Sequence, residues 1–114
     1  MVKIEAIVRE SKFEEVKNAL NEIEVHGITV SQVMGCGRQK GYTENVRGNK
    51  VDINMLPKIK FEIVVSTQEW ADKVMDAIRK SAVTGSEGDG KIFAYDINQA
   101  VRIRTDERGE QAIY

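Results

Sequence analysis

The clearest strand signal in the sequence is Lys58-Ile59-Lys60-Phe61-Glu62-Ile63-Val64-Val65. Charged and apolar residues alternate along most of this stretch, which is the period of a strand that buries one face. Residues 2–9 alternate in the same way, residues 28–34 are rich in β-branched side chains, and residues 92–95 read as a short further strand. The sequence therefore predicts four strands.

Two helices are predicted between these strands. Apolar residues recur three or four positions apart at Phe13, Val16, Leu20 and Ile23. This spacing is typical of a helix with one buried stripe. Ser11 and Glu14 have the spacing of a capping box at its start, and Gly27 is a natural stop after its end. Residues 69–83 carry a second apolar stripe and predict the second helix.

The predicted order is strand, helix, strand, strand, helix, strand. The simplest fold with this order is α+β, a ferredoxin-like βαββαβ domain with a four-stranded antiparallel sheet and both helices on one face. A chain of 114 residues suits one such domain, residues 1–114. The other sheet face is left open, which predicts self-association or a bound ligand.

Composition excludes several classes of protein. Seventeen Lys and Arg against 18 Asp and Glu leave a net charge of −1, too low for binding nucleic acid by bulk charge. The sequence contains no run of 18 apolar residues, so no membrane span is predicted. The first residues do not resemble a signal peptide. The single cysteine, Cys36, cannot form an internal disulfide, so we expect a cytoplasmic protein in which this thiol is small and buried.

The connection between the second and third strands is unusually long. Residues 37–57 show no sustained period, and loops of this length are usually functional or disordered. Four cations (Arg38, Lys40, Arg47 and Lys50) against two anions (Glu44 and Asp52) give the segment a net charge of +2. The sequence thus places polar contact groups on a long arm.

Two glycine-rich turns could bind an anion through backbone N–H groups. The first, residues 35–41, carries Arg38 and Lys40, although a simple hinge would have the same composition. The second, residues 84–91, ends at Lys91. It is not a Walker A loop because it opens a strand, and its alternative reading is a plain helix-to-strand turn.

Arg102 and Arg104 form a third candidate. On an extended backbone, residues two apart point the same way, and paired guanidiniums suit phosphate oxygens. Acidic neighbours such as Glu107 favour the alternative of solvated charge. Taken together, Arg38, Lys91, Arg102 and Arg104 predict a polyphosphate site, which Lys58 and Glu62 could join.

Catalysis is not predicted. His26 is the only histidine and stands beside Gly27, where a surface cap of the helix is expected. No spacing of ligands typical of a metal site occurs. An acylphosphatase-type enzyme would share the strand order, but the lone histidine offers little chemistry for it.

Several long motifs in order are similar to the PII nitrogen-regulatory signal proteins. They are Gly35-Cys36-Gly37-Arg38-Gln39-Lys40-Gly41, Leu56-Pro57-Lys58-Ile59-Lys60-Phe61-Glu62, Thr84-Gly85-Ser86-Glu87-Gly88-Asp89-Gly90-Lys91 and Arg102-Ile103-Arg104-Thr105. The resemblance implies a homotrimer that binds ATP or ADP in clefts between subunits, and 2-oxoglutarate together with Mg²⁺ and ATP. It also implies a T-loop (residues 37–57), a B-loop (84–91) and a C-terminal loop (102–110). The T-loop would regulate an ammonium channel, an enzyme or a transcription regulator.

The resemblance assigns roles by matching position. Nucleotide would contact Gly35, Gly37, Arg38, Gln39, Val64, Gly88, Asp89, Gly90 and Lys91, with Arg102 and Arg104 reaching across from the neighbouring subunit. 2-Oxoglutarate would contact Gln39, Lys40, Gly41 and Lys58, and Gln39 would also help to hold Mg²⁺. Tyr42, Glu44, Arg47 and Lys50 would contact the partner. A membrane would be approached only through a channel, and nucleic acid is not an expected partner.

The T-loop departs from relatives that are uridylylated on a tyrosine. The two common tyrosine positions are Val46 and Val51 here, and Asn49 replaces a serine that is phosphorylated in some members. We therefore expect no uridylylation. The alternative reading is an RNA-recognition motif, faintly suggested by Phe93 and Tyr95. These aromatics fall on the fourth strand, whereas the longer RNA motif belongs on the third.

Overall fold

The computed structural model describes residues 1–36, 42–46, 49–53 and 55–114, the two short central ranges as strand backbone only. The strands are β1 (Val2–Arg9), β2 (Ile28–Gly35), β3 (Tyr42–Val46), β4 (Asn49–Ile53), β5 (Leu56–Val65) and β6 (Gly90–Asp96). The α-helices are α1 (Phe13–Glu22) and α2 (Gln68–Ala82). Two 3₁₀ turns cover Glu10–Lys12 and Gly109–Ile113.

Four strands form the main sheet in the order β2-β5-β1-β6, and every neighbouring pair is antiparallel. β1 is central and pairs with β5 on one side and β6 on the other. Its Ile4 lies opposite Ile63 and Ala94. This arrangement confirms the predicted α+β ferredoxin-like fold.

One face of the sheet carries the core and both helices. Ile4 of β1 and Phe61 of β5 are fully buried, as are Leu20 of α1 and Ile78 of α2. The rings of Phe13 and Phe61 stack with their centroids 5.9 Å apart. Because strand residues alternate between faces, this core fixes which side chains lie on the opposite face.

That opposite face carries a mixture of charge and aromatic surface. Lys3 and Lys60 both pair with Glu62, with N–O distances of 3.1 and 3.3 Å. Phe93 and Tyr95 on β6 remain 45% and 43% exposed in the single chain. The face is therefore open, as the sequence predicted.

Both predicted ends of the first helix were wrong. Ser11 lies inside the 3₁₀ turn, and α1 begins without a side-chain cap, so no capping box forms. At the other end, Glu24 rather than Gly27 adopts the left-handed conformation, with φ of 65°. The N–H of Val25 bonds to the carbonyl of Leu20, and that of Glu24 to Asn21, which is a Schellman turn.

Two further expectations need correction. The segment 37–57, in which the sequence shows no sustained period, nevertheless contains regular structure. Its strands β3 and β4 pair as an antiparallel hairpin of their own. Cys36 is exposed rather than buried. It directly follows the last residue of β2, an edge strand, and so lies beyond the helix-covered core.

Candidate functional site

The B-loop is held from inside by the carboxylate of Asp89. This carboxylate accepts hydrogen bonds from the N–H groups of Thr84 and Gly85 at 2.8 and 2.9 Å, and from the Thr84 hydroxyl. The Nε of Arg9 approaches it to 3.0 Å. These donors, the Thr84 hydroxyl foremost, hold the pKa of Asp89 well below its usual range. Asp89 thus braces the loop as an anion.

Two cations at the end of the sheet also hold the B-loop. Arg9 and Lys58 lie directly opposite each other on β1 and β5. Arg9 Nη2 donates to the carbonyl of Glu87 at 2.6 Å, and Lys58 Nζ donates to that of Gly88 at 2.8 Å. Asp89 offsets part of the repulsion between these two like charges, and an added anion would offset it further.

Lys58 is the one buried charged side chain in the described part of the chain, with 8% exposure. Burial lowers the pKa of its ammonium group, and the nearby Arg9 guanidinium lowers it further, while Asp89 opposes both. The sequence pattern indicated Lys58 but gave no sign of a role for Arg9. Its partnership with Lys58 follows only from the strand register.

Other predicted residues lie at the same end. A Cβ built on Gly35 would lie 3.3 Å from Lys58 Cγ, which places the end of β2 against this lysine. Lys91 is exposed, and within the described residues its ammonium group has no ion pair. Beside the loop, a cavity of about 310 Å³ is lined by residues that include Arg79, Asp89 and Lys91. We call Gly35, Lys58, Gly88, Asp89, Gly90 and Lys91 the first cluster.

The two candidate arginines are not on an extended segment. Residues 103–105 form a turn, which the N–H of Asp106 closes onto the carbonyl of Arg102 at 2.8 Å. The extended backbone on which the sequence analysis based a common direction for the two guanidiniums is therefore not formed. Arg102 pairs with Glu107 at 2.8 Å. Arg104 is exposed and, among the described residues, forms no ion pair or hydrogen bond.

Val64 lies with the Arg102 segment rather than with the B-loop. A second cavity of about 310 Å³ is lined by Val64, Gly27, Trp70, Ile113 and Tyr114, among others. Arg102 reaches this cavity through its contact with Tyr114, and Arg104 follows it in the turn at 103–105; we call Val64, Arg102 and Arg104 the second cluster. Lys58 and Val64 are six residues apart on one strand, or about 20 Å. A single chain therefore keeps the two clusters at opposite ends of β5.

Other predicted residues cannot be placed in this way. Gly37, Arg38, Gln39, Lys40, Gly41 and Arg47 lie outside the described residues, and Tyr42, Glu44 and Lys50 are described only as strand backbone. Within the described ranges, no group of three His, Cys, Asp or Glu side chains could hold a metal. No described helix is long and apolar enough to cross a membrane.

Comparison with known proteins gives one consistent family. The family model described as nitrogen regulatory protein P-II matches residues 1–107. A nitrogen regulatory protein P-II of Rhodospirillum rubrum is 50% identical over 99% of this chain and 100% of its own length. Nitrogen regulatory protein P-II 2 of Methanothermobacter thermautotrophicus is 51% identical, over 99% of this chain and 97% of its own length.

Nitrogen regulatory protein P-II of Pasteurella multocida is 49% identical over its full length. These matches do not favour the RNA-binding alternative. The chain belongs to the PII family of nitrogen-regulatory proteins, which are signal-transduction regulators rather than enzymes.

Proposed function

We propose that this protein is a cytoplasmic homotrimer that senses ATP, ADP and 2-oxoglutarate and signals through its T-loop. The target would be an ammonium channel, an enzyme or a transcription regulator of nitrogen metabolism. Each nucleotide would lie between two subunits, contacting the first cluster of one and the second cluster of its neighbour.

The separation of the two clusters is the observation that carries this proposal. Phosphate-binding candidates lie at both ends of β5, too far apart for one chain to use them on one phosphate chain. An antiparallel sheet with one open face offers a surface for joining copies. Phe93 and Tyr95 on that face are half-exposed aromatics, a residue type enriched at interfaces.

The chemistry of both clusters suits anionic ligands. Lys91 and Arg104 are exposed cations that could pair with phosphate oxygens. Arg9 and Lys58, opposed across strands with Lys58 buried, suit the carboxylate of a small dicarboxylate such as 2-oxoglutarate. Gln39, outside the described residues, is the proposed contact for Mg²⁺, which would link the nucleotide to 2-oxoglutarate.

Subunit mixing tests the shared site. Lys91→Ala and Arg104→Ala proteins should each be weak in ATP binding when prepared alone. When equal amounts are unfolded and refolded together, the two kinds of subunit should assemble at random. About a quarter of the sites should then combine a wild-type Lys91 from one subunit with a wild-type Arg104 from its neighbour, and these sites should bind ATP tightly. Calorimetry would count these tight sites.

Sedimentation equilibrium should first give three times the chain mass of 12.8 kDa. A monomer at micromolar concentration, or a mixture that restores no tight sites, would contradict the shared site. For the T-loop, a channel complex should form with ADP and dissociate with Mg²⁺-ATP plus 2-oxoglutarate. A complex that ignores these ligands, or that Arg47→Ala leaves unchanged, would contradict the signalling role.

A further inference from the structure

Arg102 is tied into its own segment of chain. Its Nη1 donates to Glu107 Oε1 at 2.8 Å, and its Nη2 donates to the carbonyl of Gln111 at 3.0 Å. The same Nη2 contacts the main-chain oxygen of Tyr114. Both terminal nitrogens of this guanidinium are therefore engaged by oxygens of residues 107–114.

Glu107 is itself held in place for this contact. The hydroxyl of Thr105 donates to the same Oε1 at 2.7 Å, and the N–H of Arg102 bonds to the carbonyl of Glu107 at 2.9 Å. The side chains of Arg102 and Glu107 are 25% and 39% exposed, so the pair is only partly solvated. A partly buried, charge-assisted contact of this geometry is stronger than a fully exposed pair.

The segment that Arg102 holds also lines the Val64 cavity. Ile113 and Tyr114 line it together with Val64 and Trp70. The contacts of Arg102 with Gln111 and Tyr114 fix the end of the segment that reaches this cavity. One guanidinium thus connects a candidate phosphate contact to the lining of this cavity.

We propose that Glu107 sets nucleotide affinity by competing with the phosphate groups for Arg102; this rests on the proposed function. Glu107, Gln111 and Tyr114 engage three of the five N–H groups of this guanidinium, through Nη1 and Nη2. A bidentate phosphate contact through Nη1 and Nη2 therefore replaces the contact with Glu107 and those of Nη2, whereas the same contact at Arg104 adds new bonds.

Glu107→Gln tests the competition directly. The amide keeps an acceptor oxygen for Thr105 and Arg102 but removes the charge, so the segment should keep its shape. ATP and ADP should bind about two- to fivefold more tightly, the range expected when a partly exposed ion pair no longer opposes binding. Adenosine, which has no phosphate, should bind as it does to the wild type.

Asp106→Asn is the matched control. It removes the same charge one residue away, from a carboxylate that pairs with Arg108 at 2.9 Å. The φ of Asp106 is 61°, a conformation that asparagine tolerates well. Its nucleotide affinity should match the wild type, since general loss of negative charge near the site is not the mechanism.

A double-mutant cycle makes the test specific. In an Arg102→Ala background, Glu107→Gln should no longer change ATP affinity, because the residue for which it competes is absent. Unchanged or weaker ATP binding by Glu107→Gln alone, or tighter binding that extends to adenosine, would overturn the proposal. Absence of ATP binding by the wild type would instead refute the proposed function.

Discussion

Replacing Gly90 with alanine should be the most damaging small change in the B-loop. Gly90 has a φ of +101°, and a Cβ there would lie 1.7 Å from the main-chain oxygen of Ile7 and 2.8 Å from its carbon. Strain at this φ costs about 1 to 3 kcal/mol, and relieving the overlap costs about as much again. Lower entropy of the unfolded chain offsets about 0.4 to 1 kcal/mol. The expected loss of unfolding free energy is therefore about 2 to 5 kcal/mol.

Two other glycines separate the cost of backbone strain from the cost of the overlap with Ile7. Gly85 has a φ of +90° but an open surrounding, so Gly85→Ala should lose roughly 0.5 to 2 kcal/mol from strain alone. Gly27 is open and outside the left-handed region, so Gly27→Ala should stay within about 0.5 kcal/mol of wild type. Urea unfolding of the ligand-free proteins, at one protomer concentration, measures all three. Equal stability of Gly90→Ala and Gly85→Ala would show that the close approach of Ile7 adds no cost at position 90.

Three further predictions concern charge and modification. Arg104→Ala should weaken ATP and ADP by about ten- to a hundredfold through loss of a charge-assisted contact, and calorimetry showing unchanged affinity would remove Arg104 from the site. The folded-state pKa of Asp89 lies below its ordinary value of 3.8. The ionised carboxylate therefore stabilises the folded protein fully above about pH 3.8, and this stabilisation is lost as the pH falls below that value. Asp89→Asn should thus destabilise the protein at pH 7. Below about pH 4, its urea midpoint should fall less steeply with pH than that of the wild type, and an equally steep fall would contradict this. A uridylyltransferase with UTP should add no nucleotide at Val46 or Val51, so a mass increase located at Tyr42 would be the contrary result.

The sheet and its helix-covered face were predictable because burial leaves a period in the sequence. Apolar alternation around Phe61 identified β5, and α2 was placed within one residue at each end. The ends of α1 were not predictable in this way. Ser11 and Gly27 carried the usual cap signals, yet the Schellman turn places Glu24 in the left-handed position and buries Val25. Tertiary burial of one valine outweighed the local preference for glycine.

The β3–β4 hairpin was missed for a related reason. β3 and β4 pair with each other outside the main sheet, and their sequence lacks the strong apolar alternation of β1 and β5. The two-residue connection between Val46 and Asn49 contains Arg47-Gly48, which is not one of the strongest hairpin signals. Segment length and glycine content marked the region as functional, but its pairing became visible only in three dimensions.

The candidate site shows where residue type stops being informative. Arg102 and Arg104 look equivalent in sequence, two arginines separated by one residue, and an extended backbone would make them so. The turn at 103–105 gives them different surroundings: Arg102 is engaged by Glu107 and by main-chain oxygens, while Arg104 is exposed. Arg9 shows the converse, because only strand register brings it against Lys58 and the B-loop. Ligand affinity at such a site depends on which protein contacts the ligand must replace, so Arg102 and Arg104 should contribute unequally to nucleotide binding even though both carry the same charge.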